Sequence, residues 1–244
     1  MAGTDLEYAV LCGPEDGSAL WAAGRLRDRG VALRVVTIEE LVYAPSIRYA
    51  TVGTGVVTEV RLGDGTVLGP NLRGTLNRVA RLPSAHLEAT PSTERDYMLQ
   101  ELHAVLVSLL HAWPGVVVGR ADPRGLCGAW WRPAEWMVGA GQAGLVGVGY
   151  RSGGSDEVPS SQTILVVAGE VMTPSGVEVP EAVVAGSRTL AARHGGGLVG
   201  LDFAVEGAAW AFQSATPWPD LRPGGEGVVD ALHAALSARE SVPA

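Results

Sequence analysis

Residues 6–38 constrain the fold of this chain more than any other stretch. They read "LEYAVLCGPEDGSALWAAGRLRDRGVALRVVTI": a short apolar run, a Gly/Pro/Asp turn, a segment with Leu20, Trp21, Ala23 and Leu26 on one helical side, and a second apolar run after Gly30. A strand, a crossover helix and a strand of this length predict a parallel pair with a right-handed connection, because a tight hairpin can join only antiparallel neighbours. The chain therefore opens as an α/β unit. The turn "CGPEDGS" stands where a dinucleotide-binding loop would, but it has neither GxGxxG nor GxxxxGK[ST], and Glu15 and Asp16 would repel a pyrophosphate. It is expected to be structural, with Asp16 or Ser18 capping the helix.

Beyond this unit, Gly63-Asp64-Gly65 predicts a hairpin between two short β segments, and "RGTLNRV" a further strand. Residues 92–112 carry the clearest helical pattern, with Ser92 or Thr93 expected as cap and apolar residues at 98, 99, 102, 105, 106, 109 and 110. His103 and His111 share roughly one face of it, but no third ligand is in view, so no metal site is read there. "GVVVGRADPRGLCGAWWRPAEWMVGAGQAGL" predicts a strand, a loop and a helix with Pro133 near its start and Gly144 as its stop. Residues 151–161, "RSGGSDEVPSS", form the best linker, so the expected division is 1–150, a linker at 151–161, and 162–244. After the linker come a strand "TILVVAGEVM", a helix "PEAVVAGSRTLAARHG", two strands "GLVGLDFAV" and "AAWAFQSAT" paired through Glu206-Gly207, and a last helix "GEGVVDALHAALSAR".

A net charge of −8 disfavours a polyanion, so a nucleic-acid partner is not expected and a protein, peptide or small molecule is. All 18 basic side chains are arginine, which removes Schiff-base, lysine-base and lysine–phosphate chemistry. Cys12 and Cys127 stand in no metal or redox spacing and read as buried thiols of a cytoplasmic protein. The first residues lack the basic region of a signal peptide, and no apolar run approaches a membrane span, so no membrane partner is expected.

"LNRVARLP", "ERDYMLQELHAVLVSLL", "VVVGRADPRGLCG" and "EWMVGAGQAGL" together resemble the N-terminal, substrate-side domain of ATP-grasp proteins found near ribosomal-peptide modification systems. "ILVVAGEVM" followed by "AARHGGGLVGLDFAVEGAAWAFQSATPWPDL" resembles the end of the same fold, a "GxDF" strand and then a strand similar to "LEVNPxP". The resemblance implies α/β architecture: an N-terminal parallel-sheet, pre-ATP-grasp-like domain and a C-terminal α+β part. It also implies where the pattern is broken. Ser214 stands at the metal-binding carboxylate position and Thr216 at the asparagine position, while Pro217 and Pro219 keep the frame. Fewer than twenty residues separate Leu145 from the strand "TILVVAGEVM", where the family would place its nucleotide-clamping subdomain and its lysines. That subdomain is expected to be missing.

The first expectation is therefore a truncated, non-catalytic ATP-grasp-like binding or scaffolding subunit for a peptide or a partner enzyme, with no cofactor and no metal. Its working surface would be the crevice between the two parts, with Arg78, Arg95, Arg120, Trp130, Trp131 and Trp218 as contacts. The alternative is an active ATP- and magnesium-dependent carboxylate ligase with a rearranged site using Arg120, Asp202 and Asp220, since paired carboxylates can hold magnesium. A third reading is a structural subunit of a homo- or hetero-oligomer. A serine hydrolase is not expected, because Gly186-Ser187 lies inside a helical pattern and no GxSxG elbow occurs.

Overall fold

The computed structural model describes residues 6–53, 55–148 and 160–238. The opening unit is as the pattern predicts: strand β1 (Tyr8–Cys12), helix α1 (Gly17–Asp28) and strand β2 (Leu33–Thr37), with β1 and β2 parallel from Tyr8↔Leu33 to Cys12↔Thr37. The buried side of α1 is rotated from the expected one. Ser18, Ala19, Ala22, Ala23 and Leu26 face inward while Leu20 is exposed, because small residues let the helix lie close on the sheet.

Short helix α2 (Ile38–Val42) leads to an antiparallel sheet of β3 (Ser46–Val52), β4 (Gly55–Arg61) and β5 (Val67–Leu68), in that order; the last pair closes around the predicted Gly63-Asp64-Gly65 turn. Strand β6 (Gly74–Asn77) then returns to the first sheet and pairs parallel with the other side of β1. Helix α3 (Ser92–Ala112) follows, and strand β7 (Val116–Val118) completes the parallel sheet in the order β2-β1-β6-β7. Neither Ser92 nor Thr93 caps α3. Pro91 occupies the cap position without a side-chain hydrogen bond, its ring fixing the turn into the helix instead. Only Leu106, Leu109 and Leu110 of α3 are buried; the earlier apolar positions Met98 and Val105 remain exposed.

Helix α4 (Pro133–Gln142) starts on its proline, and the chain turns at Gly144 as expected. Residues 146–148 then run along the outer edge of the last strand, where Phe212 N–H donates to the Val146 carbonyl (2.7 Å) and Val148 N–H to the Phe212 carbonyl (3.0 Å). Most of the predicted 151–161 linker lies outside the described residues; Ser160 and Ser161 begin strand β8 (Ser160–Val167). The single expected strand "TILVVAGEVM" is two, β8 and β9 (Glu170–Met172), folded back at Ala168-Gly169. Helix α5 (Glu181–His194), strands β10 (Leu198–Glu206) and β11 (Ala209–Thr216) and helix α6 (Gly225–Ser237) follow the predicted order, giving an antiparallel sheet β11-β10-β8-β9.

Three apolar cores hold these layers. Ile164, Val166, Leu190, Phe203 and Phe212 fill the space between the antiparallel sheet and helices α4 and α5. Val60, Leu62, Leu106 and Leu109 join the small sheet to α3. The third core crosses the whole chain: Val10, Ala22, Leu26 and Leu76 from the N-terminal unit pack with Leu165, Leu198, Val228 and Leu232. Helix α6 thus lies against the parallel sheet that the chain built first.

Candidate functional site

Strand β1 has its successor β2 on one side and the later β6 on the other, so the chain leaves the sheet in opposite directions at the carboxyl ends of β1 and β6. Such a switch point opens a crevice. Gly13–Asp16 follow β1 there, Arg78 follows β6, and the loop after β11 closes over both with Trp218 and Pro219.

The floor is a buried ion pair. Arg78 Nε donates to Asp16 Oδ2 at 2.9 Å, its Nη1 donates to the Pro219 carbonyl at 2.9 Å, and its guanidinium lies 5.5 Å from the centre of the Trp218 ring. Asp16 is also the cap of α1, accepting Ala19 N–H at 2.9 Å, and Trp218 Nε1 donates to its Oδ2 at 3.1 Å. Burying two charges is tolerable only when the remaining donors and acceptors are met, and here most are. Ser18, the other predicted cap, instead receives Leu221 N–H at 2.8 Å and ties down the covering loop. Asn77 fixes the opposite bank: its Nδ2 donates to the Gly119 and Leu126 carbonyls at 2.9 and 2.6 Å. Gly119 has φ 82°, and a Cβ there would meet the Asn77 carbonyl at 2.1 Å, so no other residue fits that approach.

Three cavities share walls along this crevice. One of about 350 Å³ lies between Ser18, Asp220 and Arg222, one of about 340 Å³ between Glu15, Glu39, Arg81 and Trp218, and one of about 360 Å³ between Arg81, His103, Arg124 and Trp130. The result is a trough with Trp218 near one end and Trp130 at the other. Of the predicted contacts, Arg78 and Trp218 build its floor and wall, and Trp130, 42% exposed, stands at its far end.

Three others are placed elsewhere. Trp131 packs at a tilt against Trp136 (ring centres 4.8 Å apart) and edge-on against His194 (5.4 Å) beside the third sheet. Arg95 on α3 and Arg120 after β7 are not among the residues lining these three cavities. Asp16, Glu39 and Arg81 line the trough without having been singled out as contacts. The available signal was topological: Asp16 and Arg78 each follow the carboxyl end of a neighbouring parallel strand.

The acids of the alternative reading have separate partners. Asp202 on β10 accepts Thr163 Oγ1 at 2.7 Å on one oxygen and Ser214 Oγ at 2.8 Å on the other. Thr216 Oγ1 accepts the N–H of Trp218 at 3.1 Å. Asp220 is held by the Arg222 guanidinium through both oxygens, which keeps its carboxyl below the usual range. Among the described residues no three Asp, Glu, His or Cys side chains gather into a metal-binding group. One carboxylate flanked by two hydroxyls is a poor match for magnesium, which takes near-octahedral oxygen ligation centred on carboxylates and phosphates. Burial pushes the Cys12 and Cys127 thiols up to about 11, away from the reactive thiolate, and it holds the His194 imidazole below its ordinary value.

No protein-family model and no curated protein matches the sequence. Solved structures do match in shape. The macrocyclase MdnC of Microcystis aeruginosa, bound to its precursor peptide MdnA, superposes with a TM-score of 0.69 at 11% identity over 94% of this chain and 99% of that one. A ribosomal-peptide-associated ATP-grasp ligase of Chryseobacterium gregarium, in complex with ADP and leader and core peptides, gives 0.67 at 9% identity over 96% and 98%. The ATP-grasp ligase PsnB, with a phosphomimetic variant of its minimal precursor, Mg and ADP, gives 0.70 at 13% identity over 96% and 99%. The chain has the mixed α/β fold of these ATP-grasp ligases. Among the described residues no helix is long and apolar enough to cross a membrane.

Proposed function

We propose that this chain, built on the ATP-grasp ligase fold, is a peptide-binding subunit that does not itself ligate, holding a segment of a peptide or of a partner enzyme in the trough between Trp218 and Trp130. The observation that carries the reading is at Asp202. Both its oxygens accept hydroxyls, from Thr163 and Ser214, so Asp202 is held within the sheet by hydrogen bonds, and among the described residues it belongs to no group of three or more metal-ligating side chains. A chain without lysine also lacks the usual ammonium for nucleotide phosphates, although arginine can bind them. Against that loss, the trough stays open and is walled by tryptophan and arginine, the side chains that anchor protein contacts. That the structures it resembles include complexes with precursor peptides supports a peptide as the occupant and ribosomal-peptide modification as the setting.

Two experiments test this. Calorimetry with ATP and with a non-hydrolysable analogue at millimolar magnesium is expected to give no heat. Selection from a randomised peptide display library is expected to enrich binders that are lost in Trp218→Ala and Trp130→Ala. Micromolar, magnesium-dependent ATP binding would instead establish the active-ligase reading, for which the PsnB complex with Mg and ADP is the precedent.

A further inference from the structure

The two acids of α2 are treated very differently by the fold. Glu40 is fully engaged: its Oε2 accepts Thr37 N–H at 2.9 Å in a capping box and its Oε1 accepts Arg34 Nη2 at 2.6 Å. Glu39, one residue earlier, lines the cavity of about 340 Å³ at the Trp218 end of the trough, and its Oε2 is buried with no hydrogen-bond partner among the described residues. A buried acceptor without a donor carries a desolvation penalty that folding alone does not offset, and the penalty is larger for a charged group. What is missing is a donor, since a carboxylate can only accept. Glu15 lines the same cavity and makes no ion pair among the described residues. Asp16 is already matched by Arg78.

The rest of the lining says what kind of donor fits. Pro14, Ile38, Leu82 and Pro83 are apolar, and the Trp218 ring, 40% exposed, stands beside them. An apolar sleeve leading to an aromatic face and two carboxylates suits a long aliphatic stem with a positive head. We propose that this cavity is a subsite for a lysine or arginine side chain of the bound peptide, with Glu39 and Glu15 receiving the cation and Trp218 flanking it. The inference rests on the peptide-binding reading above. Arg81, which lines the cavity without an ion pair among the described residues, is the internal competitor for Glu39.

The test uses the full chain and three small probes, N-acetyl-lysine, N-acetyl-arginine and N-acetyl-norleucine methylamides. The Trp218 indole N–H, assigned in nitrogen-15 NMR spectra through Trp218→Phe, reports on them. Both cationic probes are expected to shift that resonance with an affinity about tenfold above the norleucine probe, the value of one hydrogen bond to a charged group. Glu39→Gln, checked for an unchanged fold in the same spectra, should remove the preference; Glu15→Gln should weaken it, and Arg81→Ala should keep or strengthen it. Charge-blind binding, no response to the cationic probes, or a preference that survives Glu39→Gln overturns the subsite. The two readings fail separately. Display-selected peptides without basic residues refute the subsite and leave peptide binding standing, whereas cationic probes that bind when no peptide can be selected do the reverse.

Discussion

Arg78 is 2% exposed, yet its guanidinium meets a carboxylate from the turn after β1 and a carbonyl and an indole ring from the loop after β11. Replacing it by methionine keeps much of the volume but leaves the Asp16 carboxylate buried without its counter-charge. Breaking a buried pair in this way costs about 3–5 kcal/mol. Urea unfolding of Arg78→Met is therefore expected to show a loss of about 3 kcal/mol, partly recovered in the double variant with Asp16→Asn; a loss below about 1 kcal/mol would show that the pair contributes little. Arg78 was legible in the sequence as a crevice residue, and its partner was not. Asp16 reads locally as a cap, which it also is, and nothing in a sequence ties it to a residue 62 positions away. The same limit hides from the sequence that Arg95, Arg120 and Trp131 do not line the three cavities of the trough. Arginine and tryptophan have the chemistry of contact residues wherever they stand, and only the register of the strands decides which of them face one another.

At the scale of single elements the sequence was informative wherever apolar residues recur with a clear period. Strands β1, β2, β6, β10 and β11 and helices α3, α5 and α6 stand where the pattern puts them. The break between β8 and β9 was hidden because Ala168 is not a turn-forming residue. It adopts φ 49°, followed by Gly169 at φ 90°, in a two-residue loop of the kind that normally carries Asn-Gly. Alanine in the left-handed region costs about 1–2 kcal/mol. Ala168→Asn, at an exposed position, is expected to raise stability by about 0.5–1 kcal/mol, read as an upward shift in thermal midpoint. An unchanged or lowered midpoint would mean that the loop derives its shape from the Ala168 N–H bond to the Gly197 carbonyl and not from its own preferences. The Pro91 start of α3 was missed for a related reason: serine and threonine beside it advertise a cap, but proline sets the backbone first.

Across the whole molecule the last helix closes the first sheet. Val228, Val229, Leu232 and Leu236 of α6 are at most 2% exposed. At roughly 1.5–3 kcal/mol for each buried aliphatic side chain, their removal rivals the total stability of an ordinary domain, about 5–15 kcal/mol. A chain ending at Gly224 is expected to lack a cooperative unfolding transition, although every strand of the parallel sheet is present; a sharp transition near that of the full chain would contradict the shared core. The salt bridges of Arg25 and Arg29 with Glu226 and Asp230 lie on the rim of this contact, are open to solvent and contribute little beside it. The same geometry sets an order of events during synthesis. A ribosome delivers the four strands of the parallel sheet, β7 the last of them, well before α6, so the nascent sheet has one greasy face uncovered until that helix follows. Until that helix emerges the exposed face is a natural client for a chaperone.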